Sequence, residues 1–200
     1  MTALQLAPGD ALLIADVQND FVTGSLHVPG GAEIVPVLNR YAAAFAARSL
    51  PVFATRDWHP PDHCSFRARG GPWPIHCVAG TEGAAFVPGF VLPAGTTIVS
   101  KATAADREAY SAFSGTELDA LLRSRAIRRL FVGGLATDYC VLQTALDARG
   151  LGYTVFVLTD GIRAVNVAPD DGDKAVAAMR QAGAETIAFG AIEDRTRGAA

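Results

Sequence analysis

The chain has 200 residues, half of them hydrophobic and 18% charged, which suits a globular protein with a sizeable core and excludes a disordered one. A net charge of −3 with scattered lysines and arginines gives no electrostatic footprint for nucleic acid or an anionic membrane. No apolar run approaches the roughly 20 residues of a membrane span, MTALQLAPGD lacks a basic segment followed by an apolar one, and three cysteines do not make a disulfide framework, so a cytoplasmic protein is expected.

Short β-rich apolar runs then alternate with helical patterns. ALLIADV (11–17) reads as the first strand, and a helix over about 31–49 follows, with Pro36 close enough to its start to be tolerated. PVFATRD (51–57) and TTIVSK (96–101) read as the second and third strands. A helix over about 114–126 opens on Ser114-Gly-Thr-Glu117, the capping-box pattern in which Ser114 accepts from an amide and Glu117 reaches back. RLFVGGL (129–135), a helix over 137–149, YTVFVLTD (153–160), a helix over 170–182 and ETIAF (185–189) complete the series. Near-continuous apolar strands are buried on both faces, so the pattern predicts one three-layer α/β/α domain over 1–200 with a parallel sheet.

Residues 58–95 break the rhythm. They hold six prolines and three of the four histidines, and a loop of that length in a compact domain is usually functional or disordered. Asp57 and His59 sit two apart at a strand end, which sends both side chains to one face. With His76, and His63 as a further candidate, they suit a divalent transition metal, giving a metal-binding loop at about 57–95. The alternatives are a polar loop with scattered histidines, or a closed zinc site using Cys64 and Cys77. Pro60 and Pro61 forbid a helix that would bring His59 and His63 together.

Ligands of open parallel sheets bind beyond the carboxyl ends of the strands. Asp16, Asp57 and Lys101 end the first three strands, and Cys140 follows the fourth at a predicted helix start. A lone cysteine is more commonly a small core residue, but a helix N-terminus lowers a thiol's pKa and makes a nucleophile of it. Thr137 and Asp138 are candidate caps for that helix. Asp16 could serve as general base, and Lys101 between carboxylate and thiol would hold both ionised groups. Phe21, Trp73 and Tyr110 are flat apolar candidates for a ring-binding wall. Asp20, Thr103 and Asp106 are polar neighbours with a weaker signal, and His27 reads as structural.

Taken together, DVQNDF with Asp16, DWH…WPIHC with Asp57, His59 and His76, SKAT with Lys101, AYSAFSGT, and GGLATDYCV with Cys140 resemble the nicotinamidase/pyrazinamidase branch of the isochorismatase-like hydrolases, in matching order over about residues 10–190. The resemblance implies a six-stranded sheet in the order 3-2-1-4-5-6 and an Asp16–Lys101–Cys140 triad. It implies one divalent ion (zinc, with iron or manganese as alternatives) on Asp57, His59 and His76. It also implies a cis peptide before Ala136, with the Ala136 and Cys140 amides as oxyanion hole, and nicotinamide hydrolysis in NAD salvage with Phe21, Trp73 and Tyr110 around the ring. An exposed apolar helix face could make a homodimer. Two rival readings are an amidohydrolase of N-carbamoyl or ureido substrates with the same triad, and a non-enzymatic metal or redox-thiol protein. The absence of a Cys-x-x-Cys motif weakens the second.

Overall fold

In the computed structural model, whose described residues are 4–192, six strands form one parallel sheet. They are β1 (Asp10–Ala15), β2 (Val52–Asp57), β3 (Thr97–Lys101), β4 (Arg129–Leu135), β5 (Thr154–Arg163) and β6 (Glu185–Ile187), in the expected spatial order β3-β2-β1-β4-β5-β6. The helices are α1 (Asn19–Val22), α2 (Ile34–Ala46), α3 (Leu118–Ser124), α4 (Leu142–Gly150) and α5 (Asp171–Gln181). Side-chain alternation along β1 divides the core in two. Leu12 and Ile14 pack with Ile34, Leu38 and Phe45 of α2, whereas Ala11, Leu13 and Ala15 pack with residues of α3, α4 and α5. Both faces of the sheet are therefore covered, and each fully buried Leu, Ile or Phe contributes about 1.5–3 kcal/mol.

Several element ends differ from the expectation. The first strand stops at Ala15 because Asp16 turns into the left-handed region, with a φ of 51°. The capping box at Ser114 does not form. Gly115 takes a φ of 69°, α3 begins only at Leu118, and the Leu118 amide is taken by the Thr116 hydroxyl at 3.2 Å. Asp138 caps nothing either: its carboxylate accepts the Val165 and Asn166 amides at 2.9 and 2.8 Å. The helix expected over 137–149 opens with one π-helical turn, Thr137–Val141, before α4. α1 is one short turn that the apolar periodicity does not reveal.

Gly134 fixes the distance between β1 and β4, where Ala15 pairs with it. Its φ is 115°, and a Cβ there would overlap the Ala15 backbone. Gly134→Ala is expected to cost about 3 kcal/mol through strain and overpacking. Denaturant unfolding of the variant checks it, and a loss under 1 kcal/mol would show that the two strands can part without penalty.

Candidate active site

Strand order reverses between β1 and β4, which opens a crevice at their carboxyl ends. Three non-glycine residues in the left-handed region line the turns around it: Asp16, Cys77 (φ 46°) and Ala102 (φ 52°). Such conformations persist where the surrounding structure enforces them and are common at functional sites. The peptide Leu135–Ala136 is cis.

The crevice gathers Asp16, Lys101 and Cys140, all buried. Lys101 Nζ lies 3.0 Å from Asp16 Oδ2, 2.5 Å from Asp57 Oδ1, 3.2 Å from the Ala109 carbonyl and 3.4 Å from Cys140 Sγ. Asp16 Oδ1 accepts the Thr55 hydroxyl at 2.6 Å. Asp16 Oδ2 meets Lys101 as an ion pair without an aligned hydrogen bond, so it keeps a lone pair open toward the crevice. Cys140 Sγ and carboxylate oxygens of Asp16 and Asp57 all lie within 4.8 Å of one another.

Electrostatics reverse one expectation. Burial, with Asp16 and Asp57 close by, raises the Cys140 thiol well above its ordinary pKa despite the pull of Lys101. The direction favours a protonated sulfur at rest. Burial also raises Asp16, with Lys101 opposing, which makes it a stronger base than a surface carboxylate. Lys101 loses stability as a cation through burial, but Asp16 and Asp57 more than restore it and keep it protonated. Burial works against the Asp57 carboxylate too; Lys101 above all outweighs it and holds the group below the usual carboxylate range.

Beside the thiol, Asp57, His59 and His76 form a buried donor cluster. Asp57 Oδ2 is 3.6 Å from His59 Nε2. His59 Nδ1 lies 3.2 Å from the Ala102 carbonyl and His76 Nδ1 lies 2.8 Å from the Pro74 carbonyl. A carbonyl only accepts, so each Nδ1 carries a proton, and in the neutral ring each Nε2 offers its lone pair. His59 Nε2 is buried without a hydrogen-bond partner. An orphaned acceptor held by a carbonyl behind the ring is what a metal-binding imidazole presents, and the donor set fits a divalent ion. His63 does not join the cluster: its Nε2 is occupied by the Arg107 carbonyl at 3.0 Å and its Nδ1 by the Ser65 hydroxyl at 2.8 Å. Cys64 and Cys77 stand outside it as well, so among the described residues no closed cysteine site forms.

Phe21, Trp73 and Tyr110 line one pocket together with His76, Ala136 and Cys140. The Trp73 indole donates to the Tyr110 hydroxyl at 2.9 Å, and burial pushes the Tyr110 pKa up to about 12. Sequence reasoning missed Tyr139, whose ring centroid is 5.0 Å from Trp73 and 5.4 Å from Tyr110 and which closes that wall. Its place directly before Cys140 was the available signal. Asp20 accepts the Cys77 amide at 2.7 Å and the Ser25 amide at 3.2 Å, and so steadies the turn that presents His76. Thr103, Asp106 and His27 are exposed and away from the pocket lining. The Ala136 carbonyl takes the amides of Tyr139 and Val141 at 3.1 Å each, passing over that of Cys140 between them.

Comparison with known proteins gives a consistent picture. The isochorismatase domain family matches residues 10–189. The nicotinamidase of Escherichia coli (strain K12) is 41% identical over 199 residues, covering 88% of this chain and 93% of that protein. The pyrazinamidase of Pyrococcus horikoshii, solved in complex with zinc, superimposes with a TM-score of 0.87 at 45% identity, covering 91% of this chain and all of that one. PnC1 of L. infantum, solved with nicotinate, gives a TM-score of 0.88 at 36% identity over 96% of this chain and 98% of its own.

Proposed function

The chain belongs to the isochorismatase family, and we propose that it is a nicotinamidase that hydrolyses nicotinamide to nicotinate and ammonia through a thioester on Cys140. The observation that carries this reading is the meeting, in one pocket, of the Cys140 thiol with Asp57 and His76, backed by Asp16 beside the thiol and His59 beside Asp57. A pyridine carboxamide has a counterpart for each part. Its ring fits between Phe21 and Trp73, its nitrogen faces the donor cluster, and its carbonyl carbon faces Cys140. Pyrazinamide presents the same groups. Asp57, His59 and His76 would hold a divalent ion, zinc on this reading, which would supply a Lewis acid toward the ring nitrogen. Three free cysteines accord with a reducing, cytoplasmic setting, and the product places the enzyme in NAD salvage.

Asp16 Oδ2 takes the proton from Cys140 Sγ as the sulfur attacks the carboxamide carbon. The developing oxyanion is held by the Ala136 and Cys140 amides. Asp16 returns the proton to the amide nitrogen, the C–N bond breaks, and ammonia leaves behind a thioester. Asp16 then takes a proton from an entering water as its oxygen attacks the acyl carbon. The C–S bond breaks, the acid is released and the sulfur is reprotonated. Lys101 spans Asp16, Asp57 and Cys140 throughout, stabilising whichever partner is charged.

The test is ammonia release from nicotinamide, pyrazinamide and N-carbamoyl amino acids, before and after chelator treatment. Turnover of the two ring carboxamides is expected, with at least about a tenfold loss on chelation and recovery on adding zinc. Turnover of N-carbamoyl compounds alone would sink the assignment.

A further inference from the structure

The Gln18 side chain is fully buried and makes three hydrogen bonds, all with main chain. Its Nε2 donates to the carbonyls of Asp57 at 2.8 Å and Ala84 at 2.9 Å, and its Oε1 accepts the Asp57 amide at 2.8 Å. The reason lies in the path of the chain. β1 and β2 pair up to Ile14–Ala54, and the Asp16 amide still reaches the Thr55 carbonyl at 3.2 Å. Then the left-handed turn at Asp16 carries the backbone away, before it has come level with Asp57. The carboxamide of Gln18 fills the place of a strand residue, pairing with both peptide groups of Asp57.

That contact matters because the Asp57 carboxylate is shared. Oδ1 is on Lys101 and Oδ2 faces His59. A small rotation of the Asp57 peptide would take Oδ2 out of line with His59 and His76 while leaving the long lysine able to follow. The same stretch also grips the chain that follows His76. The Gln18 backbone bridges Phe86, and the Asn19 and Asp20 amides donate to the carbonyls of Ala85 and Gly83 at 2.9 and 3.0 Å.

We propose that Gln18 is a positioning residue for the metal centre, setting the orientation of Asp57 relative to His59 and His76 through a side-chain continuation of the sheet ladder. Its side chain bonds to main chain alone and is not part of the pocket lining that holds Cys140. The inference rests on reading Asp57, His59 and His76 as a metal site.

The experiment uses the full chain as wild type, Gln18→Met, Gln18→Glu and a control, Thr144→Val. Thr144 is fully buried and its hydroxyl accepts the Ala112 amide at 2.9 Å, away from the donor cluster. Zinc affinity is measured by competition with a chromophoric chelator, the cobalt-loaded proteins are compared by visible absorption, and the metal-free proteins by thermal unfolding. Wild type should bind one equivalent of zinc; if it does not, the metal-site reading fails and not the role of Gln18. Gln18→Met should bind zinc about 10- to 100-fold more weakly with a displaced cobalt band. Thr144→Val should lower the thermal midpoint with zinc affinity unchanged. Gln18→Glu keeps the acceptor for the Asp57 amide and loses donor capacity, so it should fall between wild type and Gln18→Met; it also serves if the methionine variant does not fold. Wild-type zinc affinity in a folded Gln18 variant would overturn the proposal, as would an equal loss of affinity in Thr144→Val.

Discussion

Cys140→Ala should reduce ammonia release from nicotinamide by on the order of 10⁵-fold while zinc content stays at the wild-type level. On the proposed mechanism its removal takes away the nucleophile, and because the sulfur does not belong to the Asp57–His59–His76 cluster those donors stay intact. Because the resting thiol is raised in pKa by burial, it is not a ready-made thiolate. On the proposed mechanism its reactivity depends on proton transfer to Asp16 at the moment of attack. Acid quenching of wild type during turnover, followed by mass spectrometry, should reveal a nicotinoyl adduct on the peptide containing Cys140. Cys140→Ala retaining more than about a hundredth of wild-type activity would point to direct attack by water and end the thioester mechanism.

Lys101→Met should be the most destabilising change at the site and should also lower turnover at least about 10³-fold. Lys101 is buried among Asp16, Asp57 and Cys140, and its ammonium is the cation that both carboxylates face. Methionine fills much the same volume, so the loss is chiefly of charge. Two buried carboxylates would then face each other uncompensated, at a cost of about 3–5 kcal/mol. Zinc should restore part of the lost stability, since an ion on Asp57 supplies some of the missing positive charge. Denaturant unfolding with and without zinc measures both effects. A metal-free variant within 1 kcal/mol of wild type would mean that the carboxylates are already neutral in the folded protein.

Much of this site is legible in the sequence because a parallel sheet delivers the ends of its strands to one edge. Asp16, Asp57, Lys101 and Cys140 could be picked out as chemically capable residues at strand ends, and the shared motifs told which hydrolase family they resemble. The Asp57-x-His59 spacing also survives into three dimensions, since two residues along an extended chain point the same way. The local end signals fared worse. Ser114-Gly-Thr-Glu117 has the letters of a capping box, yet Gly115 turns the chain before a helix can begin. Asp138 looks like a cap and instead ties down the 165–166 segment, 27 and 28 residues further on.

What the sequence determined by itself is what depends on neighbours along the chain: the strand pattern and the candidate nucleophile, base and metal donors. Tertiary structure decided which of these groups meet and in what state of charge. His63 is excluded from the donor cluster because Arg107 and Ser65 occupy both its ring nitrogens. The thiol is raised, not lowered, because it is buried deep in the crevice beside Asp16 and Asp57. Gln18, a neutral residue with no chemistry to advertise it, becomes important only when β2 lies alongside and Asp57 needs a partner. Charge and hydrogen-bond satisfaction depend on what surrounds a group in space, and those surroundings come from segments far apart along the chain, as Asp16, Lys101 and Cys140 do.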